Sequence, residues 1–223
     1  MKRIALAALV LLLASCQTAP ESAPPKDYAA AADAAIGRFT IATNDAYGFE
    51  PEGRFDPAAH QILESHPDGG WTVYKLAGRG TGFDSVEVTV DETGTIVRLR
   101  FFRQTRGALG WRTAVDSAYQ DLNSEFKAVQ RIGDRDTAEF TVNVAGDPAE
   151  WKQHYVEYLQ LMDEPDHLGA QNCWILQPHL SLVQATVRRQ AAGAQLVVDF
   201  QTKKYAAAMR AKAPPPAPAQ PGN

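Results

Sequence analysis

The chain has 223 residues, 45% of them apolar and 22% charged, with a formal net charge of −4. These values exclude a collagen-like or wholly disordered chain and allow one ordinary globular domain, or two small ones. A net negative balance gives no general attraction to phosphate, so no nucleic acid is expected as a partner.

At the start, Lys2 and Arg3 precede an uncharged apolar run of 11 residues at positions 4–14. A bilayer-spanning helix needs about 20 apolar residues, so the run has the form of a secretory signal rather than a transmembrane helix. It closes on Leu13-Ala14-Ser15-Cys16: a branched apolar residue, two small residues, then cysteine. This ending resembles the lipobox of bacterial lipoproteins. The resemblance implies cleavage of the Ser15–Cys16 bond, diacylation of the Cys16 thiol and acylation of the new amino group. Two or three acyl chains anchor a protein stably, because each buried methylene contributes about 0.8 kcal/mol. In Gram-negative members, aspartate after the cysteine favours the inner membrane. Position 17 is Gln17, so the implied address is the outer membrane, facing the periplasm. The resemblance covers residues 1–16 and implies nothing about the domain that follows.

Removal of residues 1–15 takes away Lys2 and Arg3 and moves the net charge from −4 to −6. With Cys16 acylated, Cys173 is left as the free thiol. It sits in the apolar run Cys173-Trp174-Ile175-Leu176, which reads as a buried core cysteine. Residues 16–27 contain the lipidated cysteine and a Pro/Ser/Ala-rich tether. The folded domain is expected over 28–210, followed by a proline-rich tail at 211–223 that suits neither helix nor sheet.

Within the domain, residues 28–39 are alanine-rich and read as a helix. Asp56-Pro57 looks like a helix N-terminus, predicting a short helix over 58–64 that Pro67 stops. Residues 71–76 have strand composition. The glycine-alternating stretch 78–82 reads as a mobile connection or strand bend, since it precedes a strand and lacks the spacing of a dinucleotide loop. Val86, Val88 and Val90 alternate with Glu87 and Thr89, then Asp91-Glu92-Thr93-Gly94 supplies a turn. Val97, Leu99 and Phe101 next alternate with Arg98 and Arg100. Strict period-two patterning on both arms predicts a hairpin with one buried and one wet face.

From Trp111 to Val129 apolar residues recur every three or four positions, the signature of an amphipathic helix, with Thr113 and Asp116 as its expected cap. Residues 137–145 return to alternation. Asp147-Pro148-Ala149-Glu150 is a strong helix start, and Pro165 ends that helix. Two further strands, 180–188 and 195–202, flank Ala191-Ala192-Gly193. The expected fold class is therefore α+β: a single domain with an antiparallel sheet, two hairpins in it, covered on one side by amphipathic helices.

Two clusters are candidates for chemistry. Glu150 and His154 lie one helical turn apart, with Asp163, Glu164, Asp166 and His167 after the same helix. These residue types suit acid–base work or a divalent cation. A solvated helix face with a charged loop also explains them. The five histidines, His60, His66, His154, His167 and His179, form no short metal-binding pair, so neither a metal nor a cofactor is expected. Second, Arg98, Arg100, Arg103, Arg106 and Arg112 fall within fifteen positions uninterrupted by an acid. Arginine forks match phosphate and carboxylate groups. Outward charge that protects a strand, or pairing of this strand with Glu87, also explains them.

The expected function is a membrane-anchored periplasmic lipoprotein with a non-catalytic binding or structural role in the envelope. It would attach through the acyl chains on Cys16 and take a protein, glycan or anionic lipid as partner. The alternative is a tethered hydrolase acting on cell-wall or nutrient material, with Glu150, His154, Asp163 and His167 as its site.

Overall fold

The computed structural model describes residues 26–41, 45–107, 109–166 and 172–212. Cys16, most of the tether, His167 and the proline-rich stretch 213–223 lie outside them. In chain order the elements are α1 (Tyr28–Phe39), β1 (Ile62–Asp68), β2 (Trp71–Ala77), β3 (Ser85–Val90), β4 (Ile96–Arg106), α2 (Gly110–Phe126), β5 (Gln130–Gly133), β6 (Thr137–Ala145), α3 (Pro148–Met162), β7 (Trp174–Leu176), β8 (Leu180–Gln190), β9 (Gly193–Thr202) and α4 (Lys203–Lys212). The strands form one sheet in the order β1-β2-β3-β4-β9-β8-β6-β5, with β7 added parallel to β6. All other pairings are antiparallel. This is a single α+β domain.

Both predicted hairpins are present, as β3–β4 and β8–β9, and they lie side by side through β4 and β9. The apolar face of each hairpin is buried as the alternation predicts, but the other face is not wholly wet: Thr89 and Asp199 are buried there too. Val86, Val88, Leu99, Phe101, Val183, Ala185, Leu196, Val198 and Phe200 are buried in one core with Val115, Ala118, Leu122 and Phe126 of α2. The loop before β1 adds Ala46, Phe49 and Phe55 to the same core. The Tyr47 ring meets Phe83 and Phe101 at 5.0 Å each. Near β7 a second apolar cluster joins Ala32 and Ala35 of α1 with Trp151 and Tyr155 of α3, over Ala145.

Several expectations are corrected. The helix predicted over 58–64 is only a 3-10 turn at Pro57–Ala59. Asp56 does cap it, accepting from the Ala58 amide at 3.0 Å. The chain then enters strand β1, with Pro67 inside it. Proline is tolerated there because β1 is an edge strand. Thr113 and Asp116 do not cap α2. The helix begins earlier, at Gly110, with no side-chain cap, after Gly107 turns the chain at φ +96°. The helices do not share one side: α2 packs on the apolar face, while α4 covers part of the other. On that face Tyr205 of α4 contacts Trp71 (5.9 Å between ring centroids) and accepts a hydrogen bond from Arg98 at 2.8 Å.

The predicted capping at α3 is found: the Asp147 carboxylate accepts from the Ala149 and Glu150 amides at 2.9 Å each. Glu150 folds back to accept from the Gly146 amide at 2.5 Å. The β8–β9 turn needs glycine at 193, because a Cβ there would stand 1.9 Å from the Thr105 carbonyl oxygen on β4.

Asp91 holds the β3–β4 turn and α4 together. Its carboxylate accepts from the Thr93 hydroxyl (2.6 Å) and amide (2.8 Å), the Thr95 amide (3.0 Å) and Lys204 Nζ (2.5 Å). Burial alone would raise its pKa, but these hydrogen bonds outweigh burial and hold the carboxyl well below the usual range. Asp91→Asn is expected to destabilise the protein by about 1–3 kcal/mol at pH 7, measured by urea unfolding. Because the folded-state pKa is depressed, this contribution is complete above the unfolded value of about 3.9 and is lost as pH falls through the folded value. The gap between the two proteins should therefore narrow in acid; a pH-independent gap would mean that the side chain acts by shape alone.

Candidate functional site

The sequence-predicted arginines separate once the strands pair. Arg98 and Arg100 project from the non-core face of β4, whereas Arg103 shares the parity of Phe101 and faces α2. There Arg103 reaches Ser117 Oγ at 2.7 Å and Asp121 at 3.0 Å, with its guanidinium 5.3 Å from the Phe83 ring centroid. Arg106 and Arg112 are exposed. The run is therefore not one patch.

Arg98 and Arg100 are also not free in the way a wet strand face suggests. Arg98 makes a forked pair with Asp199 on β9, Nε to Oδ1 at 2.8 Å and a terminal nitrogen to Oδ2 at 2.5 Å, under the ring of Tyr205. Arg100 pairs with Glu87 on β3, the partner suggested by the sequence. The Arg100 Nε is buried without a hydrogen-bond partner among the described residues.

Register turns these pairs into a ladder. Directly opposed residues run Glu64 (β1), Lys75 (β2), Glu87 (β3), Arg100 (β4) and Asp199 (β9), alternating in charge on five successive strands. The row continues through the uncharged Gln184 (β8), Thr141 (β6) and Gln130 (β5). Opposite charges on facing strands are mutually favourable, by a few tenths to about 1 kcal/mol per pair.

Two adjoining cavities lie along this face. One, of about 290 Å³, is lined by Lys75, Glu87, Phe102, Gln104 and Gln195, with Asp84 and Ser85 at its edge. The other, of about 260 Å³, is lined by Arg98, Arg100, Gln184, Thr186, Arg188 and Asp199, again with Phe102 and Gln195. The shared residues make the two cavities one groove across β2-β3-β4-β9-β8. Sequence reasoning missed Lys75, Phe102, Gln184, Arg188, Gln195 and Asp199. Their outward parity was legible in each strand, but nothing local shows which strands are neighbours.

The acid and histidine residues around α3 do not converge. Glu150 occupies the first turn and Asp163 the C-cap, thirteen residues apart and so about 20 Å along the axis. Glu150 is engaged at Gly146. His154 stacks on Trp174, with ring centroids 3.6 Å apart, and its Nδ1 lies 3.3 Å from Glu157. Asp163 pairs with Lys26 and accepts from the Tyr28 hydroxyl at 2.6 Å. These contacts hold its carboxyl below the usual range, the Lys26 hydrogen bond most strongly. Glu164 and Asp166 are exposed, and His167 lies outside the described residues. Among those residues no group of three or more His, Cys, Asp or Glu side chains is placed to hold a metal ion.

The remaining histidines have ordinary neighbours. His60 stacks on Phe49 and Phe55, and His179 Nδ1 lies 2.7 Å from Glu52. Cys173 is buried, accepts from Asn143 Nδ2 at 3.3 Å, and has its thiol pKa pushed up by burial. That is the environment of an unreactive thiol.

The two roles of arginine on β4 are separable by stability. Arg98→Ala leaves the buried Asp199 carboxylate without its fork and is expected to cost about 3 kcal/mol. Arg106→Ala, at an exposed position, should stay within about 0.5 kcal/mol of wild type. Equal costs in chemical denaturation would contradict this division.

Compared with protein-family models, with curated proteins and with solved structures, the chain matches none.

Proposed function

We propose that this protein is a lipid-anchored component of a bacterial envelope, held at the outer membrane by acyl chains on Cys16 and facing the periplasm, and that its domain binds rather than transforms its partner. The observation that carries the anchoring is Leu13-Ala14-Ser15-Cys16 behind a short basic-apolar signal. No helix among the described residues is long and apolar enough to cross a membrane, and in this reading the acyl chains supply the attachment. The Pro/Ser/Ala-rich residues that follow act as a spacer, giving the domain reach from the bilayer surface.

The binding role is supported by the groove on the non-core face of the sheet. Its lining combines charged forks, amides and a phenyl ring, a mixture suited to recognition of a polar ligand. A hydrolytic reading draws no support from α3, where Glu150, His154 and Asp163 serve capping, stacking and tethering contacts at separate places.

Anchoring is tested by Cys16→Ser in the native host. The wild-type protein should sediment with membranes and partition into detergent. The variant should appear in the soluble fraction, or retain its signal unprocessed at a visibly larger mass. A variant that is processed and remains wholly in the membrane fraction would overturn the lipid-anchor reading.

A further inference from the structure

We propose that the groove across β2-β3-β4-β9-β8 is a binding site for an extended anionic oligosaccharide, a ligand class that rests on the envelope-binding reading above. The inference begins with charge. The groove is lined by four cations, Lys75, Arg98, Arg100 and Arg188, and three carboxylates, Asp84, Glu87 and Asp199. Arg98 and Arg100 are used in pairs with Asp199 and Glu87. Among the described residues Lys75 and Arg188 have no ion pair, and they stand at opposite ends of the groove. Lys75 faces Glu64 and Glu87 on its neighbouring strands and shares its cavity with Asp84, while Arg188 faces the uncharged Thr137 and Gln195. A protein with an overall acidic balance thus presents two cations that are not drawn into ion pairs among the described residues, separated by four strand spacings, roughly 19 Å across the sheet. That geometry suits a ligand with several negative groups spread along its length rather than one compact anion.

The lining between the two cations selects the ligand further. Gln104, Gln184 and Gln195 each offer donors and an acceptor, and Thr186 adds a hydroxyl. A row of groups that both donate and accept matches sugar hydroxyls, which do the same. Phe102 lies where the two cavities meet and provides an apolar surface for the C–H face of a sugar ring. Its ring also carries the Arg100 guanidinium at 5.7 Å, which holds the phenyl in place. An acyl chain would need a deep apolar channel, and these cavities are lined mainly by polar side chains. An extended acidic peptide is bound most readily at a sheet edge, where backbone groups are unpaired, and this groove crosses the interior strands β3, β4, β9 and β8.

The test uses the full acylated protein in neutral detergent and calorimetric titration with tetragalacturonate, with the uncharged maltotetraose as comparison. Tetragalacturonate should bind, maltotetraose should bind at least tenfold more weakly, and the difference should shrink as salt is raised, because Arg188 is exposed and Lys75 half-buried, so that solvent ions screen both. Lys75→Ala and Arg188→Ala should each weaken tetragalacturonate about tenfold, Arg188→Ala with Tm unchanged and Lys75→Ala with only the small Tm loss expected from its two facing charges. Phe102→Ala should weaken both sugars. Arg112→Ala, on α2 and away from the groove, should change neither.

Absence of tetragalacturonate binding, or binding indifferent to Lys75 and Arg188, overturns the proposal. So does groove-dependent binding to vesicles containing anionic phospholipid when the sugars do not bind. Membrane release of the Cys16→Ser protein is read separately, so failure of the groove proposal and failure of the anchoring proposal give different results.

Discussion

The pairing of β4 with β9 is the constraint from which the rest of the domain follows. Nine residue pairs, from Arg98 opposite Gln201 to Arg106 opposite Gly193, join two parts of the chain that lie far apart in sequence. On one side of the pair Leu99, Phe101, Val198 and Phe200 are buried. On the other side Arg98, Arg100 and Asp199 meet. Closing a loop of about 90 residues costs roughly 4 kcal/mol. Each large apolar side chain contributes about 1.5–3 kcal/mol when fully buried, so the apolar side of this one pairing offsets closure. The β1–β4 meander then extends the sheet one way and β8, β6 and β5 extend it the other. The α2 helix lies over the seam, and α4, leaving β9 directly, turns onto the opposite face.

The parts of this fold that were legible in the sequence are those with a clear hydrophobic period. Both hairpins, α2, β6 and α3 alternate or repeat because one face of each is buried, and burial selects the pattern. The elements that escaped notice bury little. All seven residues of β1 are exposed, Ile62 and Leu63 by 38% and 55%, so no alternation marked it as a strand. Meanwhile the cap-like Asp56-Pro57 pair pointed to a helix that continues for only one 3-10 turn. In α4 Tyr205 is the buried residue, too little for an amphipathic stripe. At three residues, β7 exists because β6 offers it an edge, which is a tertiary fact.

The site was less legible than the fold for a related reason. Five arginines close together in sequence looked like one patch, but side-chain alternation sends Arg98 and Arg103 to opposite faces, and pairing gives Arg98 and Arg100 different carboxylates. Asp199 is 101 residues from Arg98, and no local rule connects them. Likewise, the acids and histidine of α3 are neighbours in sequence yet are distributed along a helix whose two ends perform separate structural tasks. The groove instead combines β2, β3, β4, β9 and β8, and its composition becomes visible only when their register is known.

Register also gives the polar face a role that hydrophobic burial cannot perform. A slip of one residue would turn apolar side chains to solvent, but a slip of two preserves the alternation and leaves the core face apolar. The charges distinguish those cases. In the observed register Asp199 stands directly opposite Arg100 yet bonds diagonally to Arg98, which frees Arg100 to pair with Glu87 on the next strand. Two arginines thereby obtain two carboxylates across three strands. Sliding β9 by two in one direction sets Val197 opposite Arg100 and brings Asp199 opposite Arg98; sliding it the other way sets Gln201 opposite Arg100 and takes Asp199 away from Arg98, beneath Phe102. An exposed ion pair contributes little to stability, but the half-enclosed Arg98 fork loses its carboxylate in the second slip and is held at a different angle to Tyr205 in the first. The ladder thus acts mainly by making near-registers worse, and it leaves Arg188, beyond its charged rungs, facing only the uncharged Thr137 and Gln195.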